Sequence, residues 1–345
     1  LLIENDIYLQ ATSDGDAIKV WPGTPGGGNH RVQINSIDYY YDAAVYDSVH
    51  VDGLGGTDTL NVYGKATTEN AAFDGTSVHV SATGVYDFYA QDFENIYVFS
   101  GGGLDTAQML GTTGNDRFYS NKTYMYLRGD SSAFLNYASR FSHVEVDASV
   151  APGGYDYAYM YDSSGDDLLV GGPTQSTLDY DSTVDPGVDA TVIGFDRVDG
   201  YGVNGGTDAA TFHGSSGADV FTGLSNYAFL EGDGGAYFFY VKNFGSVTAD
   251  VSIGGGADTA ALHDSLGDDT LAADENQATI DHYATGAPNP NLTAIGFPNV
   301  RAYAIFGGND LATLMGSAGD DRFTGRETYG RMKGNGGAFI NFAKG

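Results

Sequence analysis

The sequence predicts an all-β fold, a parallel β-helix or β-solenoid built from repeats of about 50 residues, on three observations. The first is composition. The chain of 345 residues holds 51 Gly, 25 Tyr, 19 Phe and 45 acidic side chains, of which only seven are Glu. Asp and Gly favour turns and disfavour helix interiors, whereas aromatic and β-branched residues suit strands. The second is repetition. A Gly-Gly-x-Asp element occurs six times, with its Asp at Asp58, Asp105, Asp156, Asp208, Asp258 and Asp310, in steps of 47, 51, 52, 50 and 52 residues. The third is alternation. In Asp310-Leu311-Ala312-Thr313-Leu314 the first, third and fifth residues share a strand face, and Asp208-Ala210-Phe212 and Asp105-Ala107-Met109 repeat that face.

Two further markers keep step with the first. Eleven residues after each of the last five Gly-Gly-x-Asp elements lies a second Asp: Asp116, Asp167, Asp219, Asp269 and Asp321. The first unit carries Glu69 there. Phe-x-x-Val or Phe-x-x-Ile recurs at Phe93, Phe141, Phe195, Phe244 and Phe297. Residues 1–50 read as a divergent N-terminal cap or partial repeat. Residues 51–345 read as an array with units starting near 55, 102, 153, 205, 255 and 307, the last incomplete. Alternate units match best, so the superrepeat is about 102 residues. Gly111, Gly214 and Gly316 occupy a place that Asp162 and Asp264 take in the units between. Such alternation implies two faces or two neighbours that differ. Each unit has room for five or six short strands, read as two coils of a three-sided solenoid. The rival architecture is a β-propeller with one unit per blade, although the Asn-Gly and Asp-Gly hairpin signals of blades are sparse.

A formal charge of -30 repels nucleic-acid phosphates and anionic membranes, and no run of apolar residues is long enough to span a bilayer as a helix. No Cys is present, which excludes disulfides, thiolate metal sites and a cysteine nucleophile. Leu1-Leu2-Ile3 lacks the basic flank and length of a signal peptide, and the missing initiator Met suggests a processed product or a piece of something longer.

The second Asp element carries the candidate chemistry. Gly316-Ser317-Ala318-Gly319-Asp320-Asp321-Arg322-Phe323 resembles the hemolysin-type (RTX) calcium repeat, G-G-x-G-x-D-x-U with U a large apolar residue. So do Gly111 to Phe118, Asp162 to Leu169, Gly214 to Phe221 and Asp264 to Leu271. The resemblance implies a Gly-rich turn around Ca²⁺, with Asp and turn carbonyls as ligands, in a repetitive Gly/Asp-rich protein exported to a bacterial surface or matrix. This sequence departs from the pattern by placing Thr or Ser at the second Gly and by lacking tandem nine-residue copies. An isolated motif therefore supplies half a site, and the Gly-Gly-x-Asp loop just upstream is the candidate for the other half. The candidate ligands are Asp58, Asp105, Asp116, Asp156, Asp167, Asp208, Asp219, Asp258, Asp269, Asp310 and Asp321. The competing reading is that these carboxylates form Asx-type turns and cap backbone donors.

No constellation points to catalysis. The seven His show no ligand spacing, and the paired carboxylates Asp166/Asp167, Asp268/Asp269 and Asp320/Asp321 belong to the repeated turn. The densest basic set, Arg322, Arg326, Arg331 and Lys333, is not continued in the neighbouring repeat, which has Val220 and Glu231. Aromatics at Tyr39-Tyr40-Tyr41, Tyr155 to Tyr161 and Tyr237 to Tyr240 fall on both strand faces. Their outward half either stacks on sugars or a neighbour, or forms a lateral ladder. The expectation is a non-enzymatic, extracellular structural solenoid forming a fibre, surface layer or matrix. It self-associates head-to-tail or laterally, or continues in a longer chain. A carbohydrate-binding adhesin is the alternative, and a β-helical polysaccharide lyase, hydrolase or epimerase the third.

Overall fold

The computed structural model describes residues 2–3, 5–25, 27–182, 187, 189–283 and 290–345. Among them the regular structure is strand, apart from 3₁₀ turns at Asp130–Ser132 and Asn335–Gly337. The chain forms two compact units, Leu1–Ala158 with Val188–Phe195, and Tyr159–Gly187 with Asp196–Gly345. Each is a β-solenoid of stacked, mainly parallel strands arranged in two sheets, so the three-sided expectation is corrected to a two-sheet coil. The propeller alternative falls as well, because parallel rungs stack on one another instead of radiating as antiparallel blades.

In unit 1 the first sheet stacks Asp6–Gln10, Ser48–Asp52, Tyr86–Gln91, Ser77–Ala82, Asn70–Asp74, Thr106–Leu110, His143–Asp147 and Ala190–Ile193. The second stacks Ile37–Asp42, Asn29–Ile34, Ala17–Trp21, Thr59–Tyr63, Asn95–Phe99, Leu135–Ser139, Tyr124–Arg128 and Arg117–Asn121. Unit 2 repeats this plan. Its sheets face each other, with the Phe212 ring 5.8 Å from that of Phe239 on the opposite sheet.

The superrepeat follows from an odd number of crossings between the sheets in each repeat. The repeat starting near 205 places Ala209–His213 in one sheet, crosses to the other for Asp219–Gly223, Tyr227–Gly232 and Tyr237–Lys242, then returns for Ser246–Asp250. The middle three strands form an antiparallel meander; the outer two join the parallel stack. The next repeat does the reverse. Thr259–His263 and Asn299–Tyr303 lie in the second sheet, and Thr270–Ala273, Gln277–Asp281 and Asn291–Ile295 meander in the first. Each repeat ends on the sheet where it began and the chain then crosses to start the next repeat on the other, so two repeats are needed to restore the starting position.

Strand burial alternates as the two-residue period requires, and Phe118, Phe212 and Phe221 are wholly buried. The corners explain the paired glycines. The second Gly of Gly-Gly-x-Asp has positive φ at Gly206 (91°), Gly256 (134°) and Gly308 (99°). A Cβ at these positions would collide with the carbonyl oxygens of Gly165, Gly217 and Gly267 in the turn beneath. Backbone lies on backbone there, and only glycine fits.

Candidate metal centre

The two Asp elements meet, but across coils. The Oδ1 of each Gly-Gly-x-Asp carboxylate accepts the backbone N–H of an acidic residue 36 to 42 positions earlier. The bonds run from Asp16 to Asp58 (2.6 Å), Glu69 to Asp105 (2.7 Å), Asp116 to Asp156 (2.8 Å), Asp167 to Asp208 (3.1 Å), Asp219 to Asp258 (2.8 Å) and Asp269 to Asp310 (2.9 Å). The sequence suggested the loop eleven residues upstream as the partner. It is the wrong one, because the chain traverses a meander before it comes back over its own corner.

The second carboxylate folds its own turn. Asp116, Asp167, Asp219 and Asp269 accept the N–H of Thr112, Ser163, Ser215 and Ser265 at 2.5, 2.6, 2.8 and 2.5 Å. The same hydroxyl residues donate O–H to the carboxylate, as does Ser317 to Asp321 at 2.9 Å. Each hydroxyl oxygen then accepts an N–H two residues on, from Gly114, Gly165, Gly217, Gly267 and Gly319. This gives the departure from the calcium motif a physical meaning. Thr or Ser stands where that motif has Gly because its hydroxyl relays the carboxylate to the turn. Asp16 and Thr12 make the same turn in residues 1–50, with the Thr12 N–H 2.7 Å from the Asp16 carboxylate and holding its pKa below the ordinary value. Sequence reasoning missed Asp16. The detectable signal was Ser or Thr four residues before an acid.

Most of these carboxylates are therefore turn clasps. Burial pushes Asp58, Asp116 and Asp258 up, against the hydrogen bonds they receive. At two corners among the described residues a third carboxylate joins. Asp162, Asp167 and Asp208 each bring an oxygen to within 4.8 Å of the others, as do Asp264, Asp269 and Asp310. The newcomers are the two residues that replace Gly in alternate repeats. Asp162, Asp167 and Asp208 are all buried, and burial first, with the neighbouring carboxylates adding, pushes Asp208 up to about 7. Asp264 is 1% exposed. Its Oδ2 accepts the Phe306 N–H at 2.9 Å, while its Oδ1 is buried with no hydrogen-bond partner. The three buried carboxylates of Asp162, Asp167 and Asp208 call for a cation or a shared proton; at the second corner Asp310 is exposed, and the unmet Asp264 oxygen is the feature that fits a hard cation such as Ca²⁺.

The remaining candidates have structural work. His30 is buried between the Gly23 N–H (3.0 Å) and the Tyr46 carbonyl (2.8 Å), and His282 between the carbonyls of Pro290 (2.7 Å) and His263 (2.9 Å). Aromatics outside the core form ladders. Trp21, Tyr63 and Phe99 stack at 5.0 and 5.1 Å with planes 10° apart in each step, and Arg31 caps the Trp21 face at 4.2 Å. Rings stacked this way spend their faces on one another and show edges to solvent. No protein-family model matches the chain, and no curated protein matches it.

Proposed function

We propose that the chain is a non-catalytic, extracellular bacterial structural β-solenoid that associates end to end, with Ca²⁺ held at the two three-carboxylate corners. The observation that carries this reading is an uncovered core at one end of unit 2. Phe323 is 61% exposed, whereas its repeat counterparts Phe118 and Phe221 are 0% exposed. Ala312 is likewise exposed where Ala107 and Ala210 are buried. Arg322–Arg326 pairs with Tyr329–Gly334 alone among the described residues, while the equivalent Asp219–Gly223 has a strand on each side. A further coil of the same repeat, from a second copy or from further repeats of a longer chain, completes both sheets.

Charge supports a second copy as the occupant. Arg322 and Arg326 on the edge strand, with Arg331 and Lys333 on the next, form the basic cluster of a chain with net charge -30. They draw the acidic body of another molecule to this end and away from its own acidic faces. An extracellular setting supports the cation, since modules outside the cell bind Ca²⁺ at about 10⁻⁴–10⁻³ M and need only modest sites. The test is light scattering across concentration in millimolar Ca²⁺. Species above the 36.2 kDa monomer that dissociate on reversal of Arg322 and Arg326 to Glu are expected. A monomer at every concentration up to about 100 μM would overturn the assembly.

The cation makes a separate pH prediction. In the folded chain Asp208 keeps its proton to about pH 7, whereas an unfolded Asp releases it near pH 4. The folded state thus binds more protons between these values, and stability falls as pH rises through that window in chelator. Ca²⁺ must displace that proton, so its apparent affinity rises up to about pH 7 and then levels. Thermal unfolding from pH 4 to 8 should show the slope in chelator and its loss in excess Ca²⁺. Equal slopes in both would count against a cation at Asp162, Asp167 and Asp208.

A further inference from the structure

One aromatic row ends beside an open place. On the outer face of the first sheet of unit 1, Tyr8 stacks on His50 at 4.5 Å, His50 on Tyr89 at 4.7 Å, and Tyr89 on His79 at 4.1 Å, with planes 4° to 13° apart. Each partner sits directly across the strand pair. The row is fixed at its edges, by Ser48 Oγ 2.8 Å from His50 Nε2 and Asp87 Oδ1 2.9 Å from His79 Nε2. The next rung offers Ala72 opposite His79, and the rung after that offers Gln108. A methyl group follows four rings, and among the described residues no ring covers the far face of His79.

Beside the row runs a groove of about 1070 Å³. Its second wall presents one polar side chain per rung, in the order Gln10, Asp52, Gln91, Ser77 and Asp74. Gln91 Nε2 donates to Asp52 Oδ2 at 3.2 Å, so part of that wall is already oriented. Among the described residues no Lys or Arg lines the groove.

We propose that this groove binds a neutral glycan, with one sugar ring lying on His79 above Ala72 and the following sugars running along the polar wall. A pyranose has an apolar C–H face that packs on an aromatic ring, and hydroxyls at its rim that need carboxylate and amide partners. The groove supplies both at the spacing of successive strands, about 4.8 Å. The carboxylates Asp52 and Asp74, with Asp6 and Asp87 flanking, repel a uronate or sulfated chain. The site lies within unit 1 and does not depend on the end-to-end association proposed above.

Calorimetric titration of the full chain with neutral cello- and chito-oligosaccharides, and with oligogalacturonate, tests the proposal. A neutral oligosaccharide should bind with at least about tenfold higher affinity than the uronate. Ala72→Tyr fills the slot with a further ring on an outward position, and should reduce binding at least about tenfold while leaving the unfolding midpoint unchanged or higher. His79→Ala should weaken binding by removing the platform. Phe323→Ala, which addresses the assembly, should leave binding intact. No binding of either neutral series at millimolar concentration, or equal binding by wild type and Ala72→Tyr, would overturn it. A preference for oligogalacturonate would do so too.

Discussion

Asp219→Ala should destabilise unit 2 by roughly 3–5 kcal/mol, equally in Ca²⁺ and in chelator. Asp219 is buried. It accepts the Ser215 N–H at 2.8 Å, the Ser215 hydroxyl at 3.1 Å and the Tyr237 hydroxyl at 2.6 Å, and its own N–H donates to Asp258 at 2.8 Å. Alanine keeps only the last of these bonds. It deprives the part-buried Ser215 N–H and the buried Tyr237 hydroxyl of their carboxylate acceptor, each loss costing about 1–3 kcal/mol. The acceptor also holds the Tyr237 phenol, whose pKa rises well above its ordinary value, first through burial and then through this bond. Asn retains one acceptor oxygen and should lose roughly half as much. The insensitivity to metal is the discriminating feature, because Asp219 belongs to neither three-carboxylate corner. Urea unfolding measures it. A loss that appears only when Ca²⁺ is present would make this corner a metal site, and a loss below about 1 kcal/mol would show that the clasp does not hold the coil.

The same corner shows what the sequence could and could not reveal. The Gly-Gly-x-Asp period, the strand alternation and the turn around the second Asp are local, and each was legible from residues within one repeat. Which corner lies on which was not local. The partner of Asp219 is Asp258, 39 residues on, and finding it requires the number of strands between corners and the direction of each. An antiparallel meander does not announce itself in Tyr227–Gly232, which alternates as a parallel rung would. Misjudging it gives three sides instead of two and pairs Asp219 with Asp208, eleven residues upstream. The alternation of Gly111, Gly214 and Gly316 with Asp162 and Asp264 was visible. Its consequence, a third carboxylate at two corners, needed the coil beneath. Residues 1–50 hid Asp16 because Gly15 stands where the other turns have Asn, Asp or Ala, whereas Thr12 and Asp16 keep the same four-residue spacing.

Phe221→Ala and Phe323→Ala alter the same place in the repeat and should give opposite results. Phe221 is 0% exposed, with its ring 6.2 Å from that of Phe297, the Phe-x-x-Val residue of the next repeat. Its truncation leaves a cavity walled on every side and should cost roughly 3–5 kcal/mol by urea unfolding, with little effect on the mass of the particle in solution. Phe323 has no such neighbour among the described residues and is 61% exposed. In dilute monomer its truncation removes few contacts and should cost less than about 1 kcal/mol. At high concentration it removes an aromatic anchor from the centre of the end face, and the association constant should fall about tenfold or more. A protein that used this end as ordinary surface would lose neither stability nor assembly with Phe323→Ala. Severe unfolding of the dilute Phe323→Ala monomer would mean that the end is already covered within the folded chain. If a second molecule completes the core at this end, one substitution is a folding defect and its repeat equivalent an assembly defect.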